Sequence, residues 1–149
     1  MPQKIISGGQ TGVDRAALDV ALAMGIACGG WCPRGRRAED GTIPGHYPLR
    51  ETDSNKYPVR TARNVRDSDG TLVLTRGDPD RGTALTRDLA MKYQKPLLVV
   101  DLDNPPEPAE VLTWARQQGI RALNVAGPRE SSCPGIQQRA TDFLRMVFV

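Results

Sequence analysis

The chain has 149 residues, of which 39% are hydrophobic and 25% charged, and its formal net charge is +3. This length fits a single domain over residues 1–149, and the small net charge does not by itself indicate nucleic-acid binding. No apolar run approaches the ~20 residues of a membrane helix, and the first strand begins too early for a signal peptide, so we expect a cytoplasmic protein without a membrane segment.

Short apolar runs and helical patterns alternate along the first third of the chain. A strand is predicted over residues 4–7, followed by an amphipathic helix over residues 14–24, which Gly25 ends. A second strand over residues 27–32 leads into a long loop over residues 33–56. Because a loop of this length is uncommon as a mere connection, we expect it to bind a ligand or to act as a lid.

The same alternation continues to the last predicted helix. Several strands are nearly continuous apolar runs, as a parallel sheet covered on both faces requires, and the strand over residues 96–102 is apolar enough to be central. We predict an α/β fold, a three-layer α/β/α sandwich with a mainly parallel, Rossmann-like sheet, whose ligands bind beyond the carboxyl ends of the strands. Helices are predicted over residues 58–66, 84–93, 108–118 and 135–146, and further strands over Gly70–Thr75 and Ala122–Ala126.

The turn after the first strand favours anion binding. Its residues are Gly8, Gly9, Gln10, Thr11 and Gly12, and the glycines let backbone N–H groups approach a ligand with no Cβ atom in the way. The helix that follows adds unpaired N–H groups and the positive end of its dipole, which together favour a phosphate or similar oxyanion. Gln10 and Thr11 would add side-chain hydrogen bonds. The alternative is a tight turn whose glycines serve packing alone.

Basic residues after the second strand decide between kinds of ligand. Dinucleotide-binding domains need G-x-G-x-x-G and an acidic residue here, and a Walker phosphate loop needs Gly-Lys-Ser/Thr, so the sequence predicts no NAD and no Walker site. We expect Arg34 and Arg36 to reach the anion instead, since a hydrogen bond from a charged donor contributes roughly 1.5–3 kcal/mol. Arg60, Arg63 and Arg66 recur at helical spacing, which favours a solvated helix face.

Further candidates follow the other strands and open the helices. Asp14 either favours the positive end of the first helix or contacts the ligand. Arg129 either forms a surface pair with Glu130 or faces the ligand, and we favour the second alternative because its loop lies at the active edge. Thr83 would cap a helix, bind a phosphate, or do both. The remaining candidates at this edge of the sheet are Arg15, Gly82, Thr86, Gly127, Pro128, Glu130 and Ser131.

The three cysteines are an odd number, and we expect all of them to be reduced. Cys28 and Cys32 are four residues apart, but they lie in a glycine-rich strand without helical geometry. The chain has one histidine, His46, and no second cysteine pair. The sequence therefore predicts no zinc or other metal site.

Three strings resemble one known family. Residues 6–19, Ile-Ser-Gly-Gly-Gln-Thr-Gly-Val-Asp-Arg-Ala-Ala-Leu-Asp, closely resemble the opening of the molybdenum cofactor carrier proteins, and residues 82–86 and 123–131 look like their later motifs. That family belongs to the SLOG superfamily of Rossmann-like proteins. The resemblance covers nearly the whole chain and implies a binding or carrier protein for molybdenum cofactor or for a molybdate- or tungstate-like oxyanion. It also implies a homo-oligomer, a dimer or tetramer, with molybdenum enzymes as recipients of the cofactor.

Two other functions remain open. Relatives in the superfamily that activate cytokinins carry a catalytic glutamate within G-T-x-x-E, where this chain has Thr86, so the resemblance favours binding without turnover and we assign no catalytic residue. A phosphoribohydrolase-like, nucleotide-processing enzyme would need Asp14 or Glu130 in its place. Single-strand nucleic-acid binding fits the basic isoelectric point. We rank it last because aromatic residues, the stacking platforms for bases, are only 5% of the chain.

Overall fold

The computed structural model describes residues 1–77 and 83–149, which form five helices and nine strands. The helices are α1 (Val13–Met24), α2 (Tyr57–Asp67), α3 (Ala84–Lys92), α4 (Pro108–Gln117) and α5 (Ile136–Val147). The strands are β1 (Lys4–Ile6), β2 (Ala27–Gly29), β3 (Trp31–Cys32), β4 (Arg37–Ala38), β5 (Gly41–Thr42), β6 (Arg50–Glu51), β7 (Gly70–Thr75), β8 (Leu97–Asp101) and β9 (Ala122–Ala126).

The main sheet has five parallel strands in the order β2-β1-β9-β7-β8. The predicted three-layer sandwich with a mainly parallel sheet is confirmed. The central position expected for the strand over residues 96–102 is wrong, because β8 lies at an edge and β9 occupies the centre. An edge strand in a sheet that helices cover on both faces is as apolar as a central one, so composition alone could not separate the two cases.

The two faces of the sheet carry different helices. On one face α1, α4 and α5 bury the main core. Ala17 and Val20 of α1 belong to the same apolar cluster as Leu144 and Val147 of α5. On the other face α2 and α3 pack through a smaller cluster around Val65 and Leu89. None of the helices in the described residues is long and apolar enough to cross a membrane.

The segment after β2 folds differently from the prediction of one strand and a long loop. Gly30 has φ +137°, and a Cβ atom there would collide with the carbonyl oxygen of Ser7. The strand predicted over residues 27–32 is therefore split, so that β2 stays in the main sheet and β3 pairs with β6 instead. The loop itself contains the β4–β5 hairpin and packs onto α1, because Ile43 and Tyr47 join Leu18 in a second apolar cluster.

Candidate anion-binding site

A cavity of about 440 Å³ opens at the carboxyl ends of β7 and β9. Its volume lies in the range of small-molecule sites. The loops after β1, β7 and β9 all contribute to its wall, together with the start of α2 and the segment before α5. Among the lining residues that the structure describes there are three arginines and no aspartate or glutamate. The lining residues are Gln10, Tyr57, Arg60, Thr75, Arg76, Gly127, Pro128, Arg129, Ser132 and Cys133.

Arg60 brings positive charge to the glycine turn. Its guanidinium lies against Gly8, where any larger residue would collide with it, and its Nη1 is 3.5 Å from Asp14 Oδ2. Only 12% of its side chain is exposed, so the solvated helix face predicted for this arginine is wrong. Its Nε is buried and has no hydrogen-bond partner in the described part of the chain. Because an unsatisfied buried donor costs free energy, a ligand acceptor near this atom would be favoured.

Asp14 is buried and contacts both Arg60 and the backbone of the glycine turn. It is 3% exposed and accepts a hydrogen bond from the Gln10 backbone N–H at 3.3 Å. Burial raises the pKa of Asp14, while the charge of Arg60, the Gln10 N–H and the charge of Arg15 act in the opposite direction. Asp14 is not among the residues that line the cavity, so its contacts are those of a residue that positions Arg60.

Several backbone donors of the glycine turn and of the start of α1 bond to acceptors within the protein. Thr11 N–H donates to Gln10 Oε1 at 3.0 Å, and Gly12 N–H donates to Gln137 Oε1 at 3.0 Å. Val13 N–H donates to the Pro128 carbonyl oxygen at 3.2 Å. A ligand would have to displace these bonds to reach the N–H groups. The positive character of the cavity therefore comes from arginine side chains rather than from the open helix terminus that the sequence indicates.

Arg129 and Glu130 do not form the surface pair that was one of their two predicted alternatives. Both carboxylate oxygens of Glu130 accept backbone N–H groups at the start of α5, from Gly135 at 2.8 Å and Gln137 at 3.0 Å. Arg129 Nε donates to Ser132 Oγ at 3.1 Å, and 48% of the arginine side chain is exposed. Glu130 thus caps a helix, and Arg129 lines the cavity.

Arg34 and Arg36 lie away from this cavity, which corrects the contact expected between them and the glycine turn. Arg36 donates from its guanidinium to the carbonyl oxygens of Ile43, Pro44 and Tyr47 at 3.1, 2.8 and 2.9 Å. These bonds tie the loop together, so the guanidinium serves the fold. Arg34 lines a separate surface depression with Gly35, Asp53, Ser54 and Asn55.

The other predicted residues divide between the cavity and its surroundings. Gly127 and Pro128 line the cavity with Gln10, whereas Gly9 packs against the side chains of Ile43 and Leu49. Thr83, at the N-cap position of α3, and Thr86 are buried and do not line it. Gly82 lies outside the described residues. Arg15, Thr11 and Ser131 contact the β4–β5 hairpin: Arg15 donates to both Asp40 carboxylate oxygens, and Thr11 and Ser131 contact Glu39.

Sequence reasoning missed six of the lining residues, which are Tyr57, Arg60, Thr75, Arg76, Ser132 and Cys133. Arg76 follows β7 directly, as Gly127 follows β9, so its place after a predicted strand was an available signal. Arg60 had a weaker signal in Gly8, because a residue without a side chain leaves room for a large neighbour. In the described residues all three cysteines are free, and no group of three histidine, cysteine or acidic side chains is placed to hold a metal ion.

Comparison with known proteins agrees with the fold. The model of the circularly permutated YpsA SLOG family matches residues 5–148. A crystal structure named "Putative molybdenum carrier protein", from Syntrophus aciditrophicus SB, is 45% identical with a TM-score of 0.94, over 99% of this chain and 96% of that one. No significant match was found among curated proteins. The resemblance predicted from the three strings is confirmed, and the chain belongs to the circularly permutated YpsA SLOG family.

Proposed function

We propose that this protein binds and carries a small molybdenum-containing anion, either the molybdenum cofactor or a molybdate- or tungstate-like oxyanion, in the cavity beside the glycine turn. The observation that carries the proposal is the lining of this cavity, with three guanidinium groups and no carboxylate among its described residues. Guanidinium groups recognise oxyanions through paired, charge-assisted hydrogen bonds. The name of the 45% identical relative supports molybdenum as the element concerned.

The three arginines differ in how free they are to bind. Arg60 forms an ion pair with the buried Asp14, and Arg76 Nε donates to Asp103 Oδ1 at 2.9 Å. Arg129 is half-exposed, and among the described residues its ion-pair partner is Glu39, whose Oε1 lies 4.0 Å from Arg129 Nε. Arg129 is therefore the arginine that can turn towards a ligand with the least loss of existing contacts.

The size of the cavity suits an organic anion as well as a bare one. If each oxygen of a tetrahedral oxyanion took up the ~30 Å³ of a liquid water, four would occupy about 120 Å³. That is roughly a quarter of the cavity of about 440 Å³. The lining of the cavity also includes Tyr57, Pro128 and Cys133, which offer apolar surface to the body of a phosphorylated cofactor.

Replacement of Arg129 by glutamine should weaken ligand binding by about tenfold to a hundredfold. The variant loses charge-assisted hydrogen bonds of roughly 1.5–3 kcal/mol, and about 1.4 kcal/mol corresponds to a factor of ten. Calorimetric titration with molybdate, tungstate and isolated molybdenum cofactor measures the change.

Arg121→Gln is the matched control for this experiment. Arg121 is exposed and directly precedes β9, so it lies at the amino ends of the strands, whereas the cavity opens at their carboxyl ends. This variant removes the same charge and should bind as the unmodified protein does. Equal affinity of the Arg129 variant and the unmodified protein would refute the assigned site.

We further propose that the ligand is carried without turnover by a cytoplasmic homo-oligomer and is passed on to molybdenum enzymes. Asp14 and Glu130, the carboxylates considered for a hydrolytic role, are engaged with Arg60 and with the start of α5, and neither lines the cavity. Light scattering measures the oligomer. Chromatography after incubation with nucleoside monophosphates tests for turnover, and a released base would contradict the proposal.

A further inference from the structure

The tip of the β4–β5 hairpin places two carboxylates on residues that the sequence predicted to bind an anion. Glu39 and Asp40 form the turn between β4 and β5, a hairpin that lies outside the main sheet. Asp40 pairs with Arg15 at 2.6 Å, and Glu39 accepts hydrogen bonds from Thr11 and Ser131. The protein thus binds its own acidic groups where a ligand's anion was expected.

Glu39 is held by a set of donors that suits an oxyanion. Thr11 Oγ1 donates to Glu39 Oε2 at 2.7 Å, and the Ser131 backbone N–H donates to the same oxygen at 3.3 Å. The Ser131 hydroxyl donates to Glu39 Oε1, and Arg129 Nε lies 4.0 Å from that atom. Hydroxyl, backbone N–H and guanidinium donors in this arrangement also bind phosphate and related anions.

The donors are oriented by the rest of the fold. The Glu130 backbone N–H donates to Thr11 Oγ1 at 3.1 Å, which leaves the Thr11 hydroxyl hydrogen to the carboxylate of Glu39. Burial raises the pKa of Glu39, but hydrogen bonds from Ser131 and Thr11 and the charge of Arg129 outweigh it, and the pKa is lowered. Glu39 is therefore an anion at neutral pH, and 18% of its side chain is exposed.

This carboxylate adjoins the cavity. Arg129 lines the cavity and faces Glu39, and the Glu39 backbone N–H donates to the side chain of Gln10, another lining residue, at 2.9 Å. We propose that Thr11, Arg129 and Ser131 form an anion subsite beside the cavity, and that Glu39 occupies this subsite until an oxyanion group of the ligand replaces it. The inference rests on the proposed function, since it needs an anion bound at this edge of the sheet.

Removal of the charge of Glu39 should therefore strengthen anion binding. Glu39→Gln keeps the size of the side chain but holds the donors less strongly, because charge-assisted hydrogen bonds are roughly twice as strong as neutral ones. We expect molybdate and inorganic phosphate, titrated separately by calorimetry, to bind about tenfold more tightly to this variant. Glu107→Gln, at the exposed N-cap position of α4, changes the net charge equally and should leave the affinity unchanged.

Two further measurements separate a competing carboxylate from a purely structural one. In the Glu39→Gln background, Ser131→Ala should remove most of the gain, because the exposed Ser131 then offers the anion one donor fewer. Hydrogen exchange of residues 37–42 in the unmodified protein should become faster when molybdate or phosphate is added. If Glu39 were purely structural, the β4–β5 hairpin would become more protected on ligand binding.

The outcomes distinguish the inference from the function on which it rests. Equal or weaker anion binding by Glu39→Gln than by the unmodified protein would overturn the subsite alone, as would increased protection of residues 37–42. Absence of molybdate, phosphate and cofactor binding in both proteins would remove the proposed function and the subsite with it.

Discussion

Replacement of Arg60 by methionine should lower the free energy of unfolding by about 3–5 kcal/mol at neutral pH, because removal of one partner of a buried ion pair leaves the other charge uncompensated. Asp14 is 3% exposed, and Arg60 Nη1, 3.5 Å from its carboxylate, provides the largest effect that lowers its pKa. Methionine fills much of the volume of the arginine stem, so the loss reports charge more than packing. Urea unfolding at several pH values measures it.

The loss should depend on pH with a definite sign. Burial already raises the pKa of Asp14 in the folded protein, and without Arg60 the pKa rises further. A carboxyl group whose pKa is higher in the folded than in the unfolded chain does not destabilise the fold below the unfolded pKa. Its destabilising effect grows as the pH rises between the two pKa values and is complete above the folded pKa. The deficit of the variant should therefore be largest near neutral pH and should shrink as the pH falls towards about 4.

Arg63→Met, on the same helix, is the control for the charge effect. Arg63 pairs with Asp53, whose side chain is 87% exposed, and such pairs contribute about 0–1 kcal/mol. Addition of Asp14→Asn to Arg60→Met should recover part of the lost stability, since a neutral amide needs no counter-ion. Equal losses in the two arginine variants, or a deficit that does not change with pH, would contradict the buried pair.

A second large effect is expected for Gly12→Ala, which should cost about 3 kcal/mol or more. Gly12 has φ +81° and ψ −132°, a conformation that costs a residue with a side chain about 1–3 kcal/mol. A Cβ atom there would also meet the Pro128 carbonyl oxygen and the Arg129 backbone, and such overpacking typically costs a further 1–3 kcal/mol. Because the displaced segment carries Arg129, anion binding should weaken as well.

Gly25→Ala separates backbone strain from the collision. Gly25 ends α1 with φ +70°, and nothing lies within 4 Å of the position that a Cβ atom would take. This variant should therefore lose only about 1–2 kcal/mol, from its left-handed conformation. If Gly12→Ala and Gly25→Ala unfold at the same urea concentration, the close approach of the loop after β9 to Gly12 is refuted.

Local patterns predicted the helices and the strands of the main sheet, but not the short strands β4, β5 and β6 or which main-sheet strands lie at the centre. The run over Gly70–Thr75 is apolar and bounded by turns, and the structure places β7 there with every residue buried. The strand over residues 96–102 has the same character, yet β8 lies at the edge. Gly30 looked like part of a strand, because its close approach to Ser7 becomes visible only when β1 and β2 are paired.

The lining of the candidate cavity was predictable only where it comes from motifs that are local in sequence. The glycine turn and the loop after β9 were both identified, and the structure brings Gln10 and Arg129 to one cavity. Arg34 and Arg36 were expected at the anion because they follow the second strand, whereas Arg60 reaches the cavity from helix α2, further along the chain. Spacing gave Arg60 the pattern of an exposed helix face, and no local rule reveals that Asp14 is its buried partner.

The central place of β9 has a consequence for how the molecule is made. During translation β1 and β2 can pair early, and β7 and β8 can pair later, but each pair remains a separate half-sheet until β9 emerges and joins them. The hydrogen bond from Gly12 to Gln137 forms later still, across 125 residues. Contacts so distant in sequence slow folding. A nascent chain therefore has no completed cavity until the residues that follow β9 and line the cavity have left the ribosome.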